Sequence, residues 1–230
     1  MKWLLGAALC LHAFAQAPKL RDETLNYTVN WPSGLSLGEG QMRARRVPAE
    51  GGQSERWDFR LTLDASIPGF QVAERYRAIA TPSLCSLELE KNTIRGKRKT
   101  VETSTFDAER NIMVRTTGGG GGRSETPIPA CARDALTFLY HLRMEMAQGR
   151  IPPAQKVFFG AAYDVRVQFG GVQRVPVGEE TVEADRFQVS FKGPASEMTF
   201  ELALARDEAR TPLIVKVPLA MGSFSMELAR

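Results

Sequence analysis

The sequence predicts a mainly β protein, folded as a curved antiparallel sheet or flattened half-barrel with one packed amphipathic helix. Three observations lead to this prediction. Apolar and polar residues alternate with a period of two in four segments, as in antiparallel strands that bury one face. Glycine and proline punctuate the chain between them. A single stretch, residues 131–149, has helical periodicity instead.

The four alternating segments each place apolar side chains on one side and polar ones, such as Asp58, on the other. Such inward residues fill a core as readily as they line a cavity, so the pattern leaves the interior undecided. The residues expected to point inward are Leu25, Tyr27, Val29 and Trp31; Trp57, Phe59, Leu61 and Leu63; Tyr163, Val165, Val167 and Phe169; and Met198, Phe200, Leu202 and Leu204.

Five consecutive glycines, residues 118–122, lie between the segments RNIMVRTT and RSETPIP. A phosphate-binding loop needs a helix directly after its glycines. The proline-containing segment that follows here cannot begin a helix at once. The sequence therefore predicts a flexible hairpin tip.

The helix is predicted over residues 132–148 and ends at Gly149, before two prolines. At about 100° per residue, its apolar side is expected to consist of Cys131, Ala135, Phe138, Leu139, Leu142 and Met146. Asp134, His141, Glu145 and Gln148 fall on the opposite side. We expect a plug packed on the sheet, with Leu139 and Leu142 in the core. A mobile lid over a ligand cavity is the alternative.

Arg143 is unusual because it lies at the edge of the apolar side of the helix. Its stem is expected to snorkel, in which case lysine would be tolerated at this position. Alternatively, its guanidinium pairs with a carboxylate or an anionic ligand inside the sheet. Arg143 and Tyr140 are the candidate ligand-binding residues.

His141 is predicted to be solvated between Asp134 and Glu145, with its charged form slightly favoured. A metal site would need partner histidines, and His141 is the single histidine after the first 15 residues. A Ser-His-Asp triad could use only this same histidine. The sequence therefore predicts no catalytic residue, no metal ligand and no cofactor, and a protein that is not an enzyme.

The first 15 residues have the pattern of a signal peptide: Lys2, a short apolar run, and small residues before a cleavage point after Ala15. Residues 16–230 are then expected to form a single exported β-rich domain. The expected location is the periplasm, or the exterior if there is no outer membrane. No later stretch is apolar enough to span a bilayer.

Two cysteines, Cys85 and Cys131, remain in the expected mature chain. In an exported protein such a pair predicts a disulfide. The net charge of the full chain is only +4. Its basic residues are mixed with acidic ones rather than gathered with aromatic residues in a stripe, which argues against nucleic-acid binding.

Four segments resemble motifs of the family called domain of unknown function 3108. They are CARDALTFLYHLRM, LNYTVNWPSGLSLGEG, YDVRVQFGGVQRVPVGEETVEADRFQV and DEARTPLIVKVPLAMGSFSMEL. The resemblance implies an exported, mostly β protein with one packed helix and no established enzymatic activity. It also implies a shape similar to the curved sheets of bacterial lipoprotein carriers.

Two functions fit these expectations. One is a binding or carrier module of the cell envelope, whose concave sheet holds an apolar or lipid-like ligand. The other is a structural or protein-interaction component of the envelope with a fully packed core. The volume of the interior separates them, and a sequence does not give that volume.

Overall fold

The structure is a computed structural model that describes residues 20–52, 54–67, 69–219 and 222–229. The expected signal peptide and its cleavage point lie outside these residues. The strands are β1 (Glu23–Asn30), β2 (Ser36–Val47), β3 (Arg56–Ile67), β4 (Phe70–Ala80), β5 (Ser86–Arg95), β6 (Arg98–Asp107), β7 (Ile112–Thr117), β8 (Arg123–Pro127), β9 (Arg133–Asp134), β10 (Gln155–Phe158), β11 (Ala162–Val177), β12 (Glu180–Lys192), β13 (Glu197–Ala205), β14 (Pro212–Leu219) and β15 (Gly222–Leu228). The helix is α1 (Ala135–Ala147).

All fifteen strands belong to one open sheet, in the order β8-β7-β6-β5-β4-β3-β2-β1-β15-β14-β13-β12-β11-β10-β9. Neighbours pair antiparallel except β9 and β10, which are parallel. The first strand, β1, pairs with the last strand, β15. This pair joins two halves of the sheet, and within each half every strand pairs with the next strand in the chain. The predicted fold class is confirmed.

The helix lies between the two halves of the curved sheet. On one side, Tyr140 stacks on Phe59 of β3 with ring centroids 4.0 Å apart. On another, Phe138, Leu142 and Met146 pack in a core cluster formed by β10–β13. Because the sheet surrounds the helix, Thr137, Tyr140 and Arg143 are buried as well as the apolar Phe138, Leu142 and Met146.

Asp134 is fully buried, and its prediction as part of the polar helix side was wrong. It is the N-cap: its carboxylate accepts hydrogen bonds from the backbone N–H groups of Leu136 and Thr137. The hydroxyls of Ser86 and Thr137 donate to it at 2.5 and 2.6 Å. Burial raises the pKa of Asp134, and these hydrogen bonds oppose that shift. A helical-wheel projection did not indicate this role for Asp134, because the capping residue comes before the first turn of the helix.

Cys85 and Cys131 form a disulfide with a Cα–Cα distance of 4.8 Å, which confirms the predicted bridge. It connects the segment before β5 to the segment before β9. Beside it, the Ser86 N–H donates to the Ala132 carbonyl at 2.9 Å. The N-terminus of the helix is therefore held against the opposite half of the sheet.

The glycine-rich segment is a hairpin tip between β7 and β8, as predicted, and it is closed by a 2.9 Å bond from the Thr117 N–H to the Gly122 carbonyl. Phe169 and Met198 lie on the predicted inner face, opposite Phe187 and Phe191, but their exposed fractions are 52% and 43%. One detail of the strand prediction was wrong. Asp58, expected outside, is buried because Arg60 and Arg77 cover its carboxylate at 2.9 and 3.0 Å.

Candidate functional site

An apolar pocket of about 240 Å³ lies between α1 and the inner face of β11–β14. The helix contributes Ala135, Phe138, Leu139 and Leu142 to its wall. These residues share one helix face because positions three and four apart are neighbours on a helix. The pocket is thus enclosed on one side by the helix that the sequence predicted to be a plug.

Cross-strand pairs form the opposite wall. Phe191 of β12 lies directly opposite Met198 of β13, and Val189 lies opposite Phe200. Phe191 and Phe200 are stacked with ring centroids 5.3 Å apart. Tyr163 of β11 meets Phe191 edge-on at 6.1 Å. The pocket is therefore lined largely by aromatic rings, with the half-exposed Met198 at its rim.

Leu139 and Leu142 differ in their surroundings, although both were predicted to be core residues. Leu142 is 1% exposed, which confirms its prediction. Leu139 is only partly buried, and it packs against core clusters of both sheet halves while bordering the pocket. Leu139 therefore contributes to the core as predicted, but at its edge rather than in its centre.

Phe159 also lines the pocket and lies in the turn between β10 and β11. Its ring meets Tyr76 of β4 edge-on at 5.3 Å. The Lys91 ammonium lies 4.2 Å from the centroid of the Phe159 ring. One turn thus connects the pocket wall to polar groups on the other half of the sheet.

Arg143 is buried, with a side chain that is 1% exposed, so the snorkelling interpretation was wrong. Its guanidinium forms a two-point ion pair with Glu23 of β1, with NH2 donating to Oε2 at 2.9 Å. Its Nε donates to the Ala209 carbonyl at 3.1 Å. Burial lowers the pKa of Arg143, but the Glu23 hydrogen bonds and charge outweigh burial and raise it above its ordinary value. The alternative interpretation, pairing with an internal carboxylate, is confirmed.

Tyr140 lies beside this ion pair, with the Arg143 guanidinium carbon 5.0 Å from its ring centroid. Its hydroxyl is buried and lacks a hydrogen-bond partner among the described residues. Burial raises the pKa of Tyr140, so the hydroxyl stays protonated. Arg143 and Tyr140 are absent from the pocket wall, and ligand binding by these two residues stays a prediction.

His141 is half-buried rather than solvated, and its predicted preference for the charged form was wrong. Burial, together with the positive charge of Arg133, lowers its pKa from 6.5 to about 4. Glu145 opposes this shift, and Arg150 adds to it. The imidazole is therefore neutral near pH 7.

Replacing His141 with glutamine is expected to flatten the dependence of stability on pH between about 6.5 and 4. In this window the unfolded chain binds a proton at His141 and the folded chain does not, so stability falls as the pH is lowered. Urea denaturation of both proteins at several pH values measures the difference. Parallel stability profiles would show that burial does not depress this pKa.

No group of three or more histidine, cysteine or acidic residues is placed to hold a metal ion in the part of the chain that is described. No described helix has the length and apolar character needed to cross a bilayer.

A second depression, of about 500 Å³, is more open to solvent than the apolar pocket. Its charged residue Arg206 is paired with Asp185 at 2.8 Å.

The sequence located some of the pocket and missed the rest. Phe138, Leu139, Leu142 and Tyr163 were predicted to face inward, as were Met198, Phe200 and Leu202. Phe159, Val189, Phe191 and Val215 were not singled out, although the pocket also contains them. Alternation in the segments around Val189 and Val215 could have indicated Val189, Phe191 and Val215, whereas Phe159 lies in a turn without periodicity.

Comparison with known proteins gives two similarities. A family described as "Protein of unknown function (DUF3108)" matches residues 26–229. A crystal structure of a β-barrel-like protein of the domain of unknown function DUF1849 from Brucella abortus aligns with a TM-score of 0.62. The alignment covers 93% of this chain and 98% of that chain at 9% identity, so it shows the fold alone. No curated protein matches the chain.

Proposed function

Since this chain belongs to the DUF3108 family of proteins of unknown function, we propose a function from its site: a non-catalytic binding or carrier module of the cell envelope. Its ligand is a single apolar chain held in the pocket between α1 and β11–β14. The observation that carries the proposal is an aromatic-lined pocket that opens past the half-exposed Met198. A cavity of this kind favours an apolar ligand because burial removes hydrocarbon from water.

The volume limits the size of the ligand. A pocket of about 240 Å³ is below the roughly 300–1,000 Å³ typical of sites for drug-sized ligands. It suits one hydrocarbon chain better than a lipid with several chains. Each methylene group that enters contributes about 0.8 kcal/mol.

A charge at the rim is expected to weaken binding of a neutral apolar probe, the fluorescent dye 1-N-phenylnaphthylamine. Met198→Glu should raise its Kd about tenfold, because the carboxylate would lose water when the probe enters. Fluorescence titration of the folded full chain measures this effect. Val101→Glu is the matched control, since Val101 and Met198 are both 43% exposed and Val101 is not part of the pocket wall.

Absence of probe binding to the unmodified protein would favour the alternative, an envelope interaction protein with a packed core. If Met198→Glu and Val101→Glu raised the Kd of the probe equally, the probe would not bind in this pocket and the proposed binding site would be wrong. The envelope location rests on the N-terminal sequence pattern. N-terminal sequencing of protein recovered from its native compartment tests it, with Gln16 as the expected first residue.

A further inference from the structure

Three charged side chains converge next to the Phe159 wall of the pocket. Lys91 donates to Glu102 at 2.6 Å, and Arg115 lies 3.4 Å from the same carboxylate. Arg115 also donates to the carbonyl of Gly160. Lys91 lies opposite Tyr76 and Glu102 in the sheet register, on the face that packs toward the core.

Gly160 shows how near these groups are to the pocket wall. A methyl group placed on its Cα would lie 3.3 Å from the Lys91 ammonium and 3.5 Å from the Arg115 guanidinium. It would lie 3.7 Å from the Glu102 carboxylate. Gly160 directly follows Phe159, whose ring lines the pocket. The charged groups therefore lie within about one side chain of the pocket wall.

The charges of this group do not balance. Two cations share the single carboxylate of Glu102, which leaves one positive charge in excess. The side chains of Lys91 and Glu102 are only 13% and 12% exposed, whereas Arg115 is 32% exposed. Partial burial strengthens the attraction of an uncompensated charge for an anion. One bound monoanion would bring the group to neutrality.

We infer that the ligand is a single-chain amphiphile with a carboxylate head, such as a fatty acid. Its hydrocarbon chain occupies the pocket, and its carboxylate lies at the Phe159–Gly160 turn against Lys91 and Arg115. Arg115 suits this role because a guanidinium has several N–H donors and can bind a carboxylate while it retains other contacts. This inference rests on the proposed function and specifies the ligand of the same pocket.

The test compares two fluorescent probes with the same hydrocarbon chain, cis-parinaric acid and its methyl ester, of which only the acid carries a charge. At a pH where the acid is ionised, the unmodified protein should bind the acid about tenfold more tightly than the ester. Lys91→Met should remove this preference, so that the acid and the ester bind with affinities within about twofold of each other. Glu102→Gln should increase the preference, because it adds one more uncompensated positive charge.

Lys216→Met is the matched control, because it removes the same charge from the opposite face of β14, next to the pocket residue Val215. It should leave the acid-to-ester ratio unchanged. Equal binding of acid and ester by the unmodified protein would overturn the inference and leave the apolar pocket in place. Failure of both probes to bind would overturn the proposed function as well. Tighter binding of a lysophosphatidylglycerol with a decanoyl chain than of decanoate would overturn the carboxylate head in favour of a phosphate.

Discussion

Replacing Arg143 with methionine is expected to lower the free energy of unfolding by about 3–5 kcal/mol. The change leaves the Glu23 carboxylate, whose side chain is only 17% exposed, without its two-point partner. It also leaves the Ala209 carbonyl without its bond from Nε. A carboxylate that is held from water without a partner is strongly destabilising. Urea denaturation at neutral pH measures the loss.

Two further variants show whether the cost comes from burial of the pair. Arg75→Met removes an arginine that also contacts a carboxylate twice, Asp64 at 2.7 and 2.6 Å, but at an exposed site. It should cost less than about 1 kcal/mol. Combining Arg143→Met with Glu23→Gln should recover part of the loss, because no buried charge then remains. Equal costs for Arg143→Met and Arg75→Met would contradict this account.

The same geometry changes the expectation for lysine at position 143. A snorkelling stem would have tolerated it, but the buried guanidinium makes contacts with Glu23 and Ala209 at once. A lysine ammonium cannot reproduce this planar fork. Arg143→Lys is therefore expected to lower the free energy of unfolding, and the same urea denaturation measures this loss.

Leu142→Ala is expected to cost about 2.7–5 kcal/mol, the range for a leucine deleted from a packed core. Leu142 is 1% exposed and contacts the cluster that includes Val165 and Leu202. Leu139→Ala is the matched comparison on the same helix. It should cost less than half as much, because Leu139 is only partly buried and so has less apolar surface to lose from the core.

These two variants also separate a plug from a mobile lid. If the helix is a plug that forms part of the core, truncating Leu142 lowers the free energy of unfolding of the whole protein substantially. A lid must open, and so it belongs to the least stable part of the protein. Thermal and chemical denaturation of both variants gives the comparison. Small and equal losses for the two leucines would indicate that the helix is a lid.

The sequence by itself determined features that depend on neighbours in the chain. Period-two alternation indicated β1, β3, β11 and β13, and helical periodicity followed by Gly149 indicated α1. The prolines after the glycine run gave the hairpin tip. Cys85 and Cys131 were paired by elimination, because no other cysteine remains after residue 15. Each of these inferences needs only local geometry or a count of residues.

The tertiary structure decided which polar residues are buried and where empty volume remains. Arg143 meets Glu23 across 120 positions, and Asp134 meets Ser86 across 48. A helix wheel cannot show such partners, because it assumes one buried face and one exposed face. Here the sheet surrounds the helix, so polar residues on several sides must be satisfied by distant groups. The pocket has the same origin: its walls come from a helix, a turn and four strands, and only their packing fixes the volume between them.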